Sequence, residues 1–92
     1  MNHMDGRETL AGDVKAAIVR CLRMPIKPEE ITNDMLLFNE GLGLDSIDAL
    51  EIVLELQRSF GVEIGDEQVG QRVLRSVSTI VDFIESSRKP AG

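Results

Sequence analysis

The sequence predicts an all-α fold: a small antiparallel helical bundle of three main helices plus one short helix, with a long loop between the first and second. Three observations predict it. Apolar residues recur at intervals of three and four in three separate segments. Glycine, proline and capping residues punctuate the chain where those segments begin and end. The one stretch that alternates like a strand, Val62-Glu63-Ile64-Gly65, is too short for a sheet and has no evident partner.

Each element follows from its own residues. Positions 1–7 read as a flexible N-terminal tail, positions 8–86 as the folded domain and positions 87–92 as a flexible C-terminal tail. From Glu8 to Arg23 the residues Leu10, Val14, Ala17, Ile18, Cys21 and Leu22 fall on one helical face, and Pro25 and Pro28 stop the helix. Cys21, on that face, reads as a small buried hydrophobe. From Met24 to Asp45 no period persists, and the segment carries Asn33, Asn39, Gly41 and Gly43 besides its prolines. A connection of about 20 residues is unusual in a small domain and normally functional when ordered. Ile31, Leu36, Leu37 and Phe38 are positioned to pin it across the helices, and Asp34 to cap a short turn around Leu36.

The second helix runs from Ser46 to about Ser59. At about 100° per residue with Ile47 at zero, Leu54, Leu50, Val53, Phe60, Ala49 and Leu56 fill an arc from about 340° back to about 180°. That arc is the expected buried face. Asp48, Glu51 and Glu55 lie between about 40° and about 100° as an acidic stripe, bordered by Ile47 and Ile52. Gln57 falls inside the apolar arc, and nothing in the pattern explains it. Gly61 suits the left-handed cap that ends this helix. Asp66 to Leu74 reads as a short helix weakened by Gly70. Ser76 opens the last helix, with Val77, Ile80, Val81, Phe83 and Ile84 as its apolar face and Thr79 with Asp82 as an alternative capping pair.

Size and charge exclude whole classes of function. At 92 residues the chain fits one domain. Such a chain buries only roughly 60–65% of its unfolded surface, enough for a modest core and hardly for a deep catalytic cavity. Between Glu29 and Glu67 stand eleven acids and one base, Arg58, a local balance of −10, while the remainder carries +4 of the net −6. An acidic surface argues against nucleic acid, whose phosphates demand basic groups. No apolar run approaches the ~20 residues that cross a bilayer, and the polar N-terminus makes the cytoplasm the expected location. One cysteine and one histidine exclude an internal disulfide and a structural zinc site of the usual kind. His3 has no placed nucleophile, the Gly41-Leu42-Gly43 pattern lacks the strand and third glycine of a nucleotide loop, and the acids near Asp45 do not have calcium-loop spacing. Catalytic and metal-ligating residues are therefore not expected.

The segment GLGLDSIDALEIVLELQRSFGVEI, residues 41–64, carries the chemistry. Asp45-Ser46 ahead of an apolar periodic run is an ordinary N-cap signal. It also suits a phosphorylated serine, because unpaired backbone N–H groups and the positive dipole end favour an anion by ~0.3–1 kcal/mol. The small Gly41 and Gly43 would leave the hydroxyl open to a modifying enzyme.

This segment resembles the attachment motif of acyl carrier proteins, in which a serine within an Asp-Ser-Leu/Ile core carries 4′-phosphopantetheine. Asp45, Ser46 and Ile47 match the core, and Asp48, Leu50, Glu51, Val53 and Phe60 match the helix after it. Ile31, Asp34, Leu37 and Phe38 resemble the upstream loop, and Val62, Ile64, Asp66, Glu67 and the Ile80–Ile84 helix continue the likeness. It covers roughly positions 8 to 86. Leu44 interrupts the paired glycines typical of peptide-synthetase carriers, so the Leu-Asp-Ser-Ile-Asp form is closer to discrete fatty-acid or polyketide carriers. Two departures stand out: Gly65 where the family usually has proline, and a slightly longer Asp66–Ser76 stretch carrying Arg72 and Arg75.

The resemblance implies a monomeric, non-enzymatic carrier for fatty-acid, polyketide or related lipid biosynthesis. Ser46 would receive 4′-phosphopantetheine from coenzyme A through a magnesium-dependent phosphopantetheinyl transferase, and the arm's thiol would hold the acyl group as a thioester. Asp48, Glu51 and Glu55, with Ile47 and Ile52, would meet acyl-transfer and synthase enzymes through their basic docking surfaces. Leu50, Val53, Leu54, Ile64, Phe83 and Ile84 are the implied lining for an acyl chain, and each reads equally well as core. Two other readings stay open: a carrier for an amino acid or unusual acyl group in a peptide or lipid pathway, and an unmodified acidic helical interaction module.

Overall fold

The computed structural model describes residues 6–38 and 43–88; the expected loop signals Asn39 and Gly41, and the outermost residues at both ends, lie outside them. In chain order the elements are α1 (Gly6–Leu22), a 3-10 turn (Pro28–Glu30), α2 (Ser46–Phe60), α3 (Glu67–Val73) and α4 (Val77–Arg88). The all-α bundle expected from the sequence is therefore the fold observed. Among the described residues the one β-type pairing is an isolated parallel bridge between Phe38 and Leu44.

Helix α1 packs between α2 and α4. Val14, Ala17 and Ile18 supply its innermost face, with Leu10 and Ala11 beside them. It begins two residues earlier than expected, and this places Arg7 in its first turn rather than in a tail. The Arg7 guanidinium reaches Asp82 at 2.7 Å and Glu85 at 2.8 Å, so the first turn of α1 lies against the middle and end of an antiparallel α4. At its other end α1 closes before Pro25. Arg23 turns left-handed at φ 53, while its N–H donates to Arg20 O and the Met24 N–H donates to Val19 O at 3.0 Å. This double bond pattern satisfies the last carbonyls of the helix. Cys21 is half-buried there, and burial raises its thiol pKa.

The long connection is tied down by two side chains and three backbone bonds. Ile31 and Leu37 are fully buried, whereas Phe38 is half-buried and Leu36 exposed. Leu37 N–H donates to Arg75 O, Ser78 N–H donates to Asn33 O, and Leu44 N–H donates to Leu37 O. The short turn lies one step earlier than predicted, where Met35 N–H meets Thr32 O. Asp34 does not cap it; its carboxylate accepts from the Ser78 hydroxyl at 3.1 Å and fastens the loop to the start of α4.

Helix α2 ends at Gly61, whose φ of 69 is the left-handed conformation that glycine adopts without a Cβ penalty. Asp66 caps α3 by accepting from Val69 N–H at 2.9 Å, and Gly70 does not prevent that helix from forming. The start of α4 is fixed by Ser76 and Thr79, not by Thr79 and Asp82. Ser76 N–H donates to Thr79 Oγ1, and Thr79 N–H donates back to Ser76 Oγ. The core closes with Val62, Leu74, Val77, Ile80, Val81 and Ile84. No helix among the described residues is long and apolar enough to cross a membrane.

Candidate functional site

Local chemistry places Ser46 at the first position of α2. Asp45 is extended at φ −114, ψ −172, and its Oδ1 accepts from Ile47 N–H at 3.1 Å and Asp48 N–H at 3.0 Å. Asp48 Oδ2 accepts from Asp45 N–H at 3.1 Å, so the two carboxylates form a reciprocal capping box. Two orphan N–H donors are satisfied by Asp45 and not by the serine. Ser46 is exposed, and among the described residues no hydrogen bond engages its hydroxyl. Just upstream, Leu44 is half-buried through its bridge to Phe38, and Gly43 is exposed with φ 72. The loop is thus anchored two residues before a serine that is itself free to react.

The remainder of α2 differs from the expected wheel. Its buried residues are Ile52, Glu55 and Leu56, while Ile47, Leu50 and Leu54 are 71%, 59% and 54% exposed. Counted at about 100° per residue, the inward face spans about 80° to about 180°, so its centre lies roughly 130° from that of the expected arc. Three expectations change with it. Glu55 leaves the docking stripe, because it is 4% exposed and sealed beneath α1. Ile52 leaves the border of that stripe for the core. Leu50 and Leu54 line no interior and instead join Ile47 on an outer face, with Glu51 exposed and Asp48 half-buried beside them.

On this inward face Glu55 belongs to a polar cluster between helices. Arg20 Nη2 on α1 donates to Glu55 Oε2 at 2.7 Å, Ser59 Oγ donates to the same oxygen at 2.7 Å, and Arg58 donates to Oε1. The Ser59 hydroxyl and the Arg20 and Arg58 guanidinium groups hold the Glu55 carboxyl at about 2, against the desolvation that would raise it. Sequence reasoning missed Arg20 because a helix wheel carries no information about the neighbouring helix. The signal was Gln57: with the inward face turned, this half-buried residue sits on the rim and no longer interrupts an apolar arc.

The other expected lining residues separate as well. Ile84 is fully buried, and Val53, Ile64 and Phe83 are half-buried against the core. Ile64 opens onto a depression of about 450 Å³ beside Gln57 and Gly61, whereas Phe83 opens onto one of about 410 Å³ with Val69, Val73 and Thr79. The structure does not gather the six into one cavity. Among the described residues no group of three or more His, Cys, Asp or Glu side chains is placed to hold a metal ion.

The helical domain thus presents an exposed serine, its hydroxyl free of hydrogen bonds among the described residues, at the start of α2. Residues 13–84 match the family described as Phosphopantetheine attachment site. The chain is 34% identical over 76 residues to the acyl carrier protein of Wolinella succinogenes, covering 83% of this chain and 93% of that one. It is 36% identical over 77 residues to the acyl carrier protein of Sulfurovum sp., covering 84% and 96%. With that of Coprothermobacter proteolyticus it shares 40% over 62 residues, covering 67% and 72%. The chain belongs to the acyl carrier protein family and holds acyl groups on covalently attached 4′-phosphopantetheine. The described residues fit that group. The exposed Ser46 hydroxyl would offer an attachment oxygen, and the start of α2 would favour the phosphodiester's negative charge.

Proposed function

We propose that Ser46 is the attachment residue and that the chain is a carrier, not a catalyst, for fatty-acid or related acyl synthesis. The observation that supports this most is the division of labour at the start of α2. Asp45 does the capping, so modifying Ser46 removes no bond the helix depends on. The attached group supplies a terminal thiol on which an acyl group is held as a thioester. The chain's own residues present that group and are recognised.

The recognition surface in this reading is the outer face of α2: Ile47, Leu50 and Leu54, flanked by Asp48 and Glu51. Apolar contacts there would give a partner its grip. The two carboxylates would steer a basic enzyme surface toward Ser46 and fix its orientation, accelerating encounter more than deepening affinity. Val53, Ile64 and Phe83, half-buried at the edge of the core, are the residues proposed to meet an acyl chain.

The test is mass spectrometry of the intact protein after incubation with coenzyme A, magnesium and a broad-specificity phosphopantetheinyl transferase. Wild type should gain one phosphopantetheine and Ser46→Ala none. An unchanged wild-type mass in a protein with native helical circular dichroism would defeat the carrier reading and favour an unmodified interaction module.

A further inference from the structure

Glu55 is the one charged side chain buried among the described residues, and the attachment site makes no use of it. Its burial is avoidable. A roll of α2 by roughly 130° around its own axis would return Glu55 to water and turn the leucine-rich arc inward. That roll takes Ile52 out of the core and brings Leu50 and Leu54 in, while Leu56 lies at the edge of the inward face in both registers. Hydrophobic burial follows the apolar area removed from water, and exchanging Ile52 for Leu50 and Leu54 does not lower it. Apolar packing alone therefore does not choose the observed register.

The polar cluster does. Arg58 and Ser59 sit on α2 and turn with it, so they accompany Glu55 in either register. Arg20 sits on α1, and its 2.7 Å bond to Glu55 exists in only one. We propose that the Arg20–Glu55 pair is a register lock for α2, selecting the face packed on α1 and so keeping Ile47, Leu50 and Leu54 in solvent beside Ser46. A buried ion pair is a poor source of net stability, because desolvation offsets its attraction. It can still select, because Arg20 meets Glu55 only in the observed register; without that cation the buried carboxylate loses a partner and the register that returns it to water is favoured. Arg20 and Glu55 are thus positioning residues for the outer face. The value of that face to partners rests on the reading of Ser46 given above, but the lock itself does not.

The test uses the full chain with Cys21→Ala, which removes its one cysteine, and Leu54→Cys, which puts a thiol on the outer face. The rate of labelling by a soluble thiol reagent reports how often that face is in water. Arg20→Met keeps the side-chain stem and removes the charge. It should slow labelling at least about fivefold while helical circular dichroism persists, as the outward register falls below about a fifth of the population. Arg20→Lys, which keeps the cation, and Arg58→Met, whose partner moves with it, should both label within about twofold of the parent. Unchanged labelling in Arg20→Met would overturn the lock. So would loss of its helical signal, since no second folded register would then exist, or equal slowing in Arg58→Met, which would assign the effect to lost hydrogen bonds alone. Labelling needs no transferase, so failure here is distinguishable from failure of the Ser46 reading.

Discussion

Acidification isolates the energetic contribution of Glu55. Its carboxyl titrates at about 2 in the folded protein against an ordinary 4.5, because Ser59, Arg20 and Arg58 all bond the ionised form. A carboxylate with a depressed folded pKa contributes stability that is fully present above the unfolded pKa and lost as pH falls through the folded one. The loss should therefore fall between pH 4.5 and about 2. At ~1.4 kcal/mol per pKa unit, the whole difference is an upper bound of about 3 kcal/mol. The two guanidinium partners are exposed, and solvent screening reduces what such pairs deliver, so about 1–2 kcal/mol is expected. Urea denaturation followed by circular dichroism near pH 5 and near pH 2.5 measures it, with Glu55→Gln as reference. Every other side chain is the same in the two proteins, so its effect cancels in the difference. Wild type should lose about 1–2 kcal/mol more than Glu55→Gln over this interval. Equal losses would refute the claim that the carboxylate is held ionised by its three partners.

Two further outcomes follow from the attachment helix. Asp45→Ala removes the acceptor for Ile47 and Asp48 N–H, so it should cost about 1–2 kcal/mol of stability by urea denaturation; it should also slow transfer of phosphopantetheine to Ser46 as the first turn frays. Glu51→Lys should slow the same transfer at low salt with little change in stability, whereas Glu29→Lys, on the 3-10 turn outside α2, should not. Raising salt to physiological strength, where exposed charges are screened beyond ~8 Å, should bring wild type toward the Glu51→Lys rate.

What was legible in the sequence was mostly local. Asp45, Gly61 and Asp66 act through neighbours two to four residues away, and each sits where its type places it in the chain. The apolar period of α1 and α4 also survived intact, since Val14, Ile18, Val77, Ile80 and Ile84 are all buried. The place of Ser46 at the start of α2 was readable for the same reason. Failures came where the deciding partner is remote. Arg7 meets Glu85, 78 positions away, and nothing around Arg7 announces an ion pair. Arg20 meets Glu55, 35 positions away, and reverses the inside and outside of half of α2. A wheel ranks faces by apolar content, so it buried Leu50 and Leu54 and exposed Glu55. The fold ranks them by what the neighbouring helix offers, and α1 offers a guanidinium.

The clasp between Arg7 and α4 has a mechanical meaning. Asp82 stands at the middle of α4 and Glu85 toward its end, so the chain enters α1 and leaves α4 at the same pole of the bundle. Tension applied between the two ends falls first on these exposed ion pairs. It peels α1 from α4 one turn at a time instead of shearing their whole interface at once. Tethers at the two ends would thus load the weakest margin of the bundle. A single tether at either end would leave that margin unloaded, with the outer face of α2 free to swing between partners.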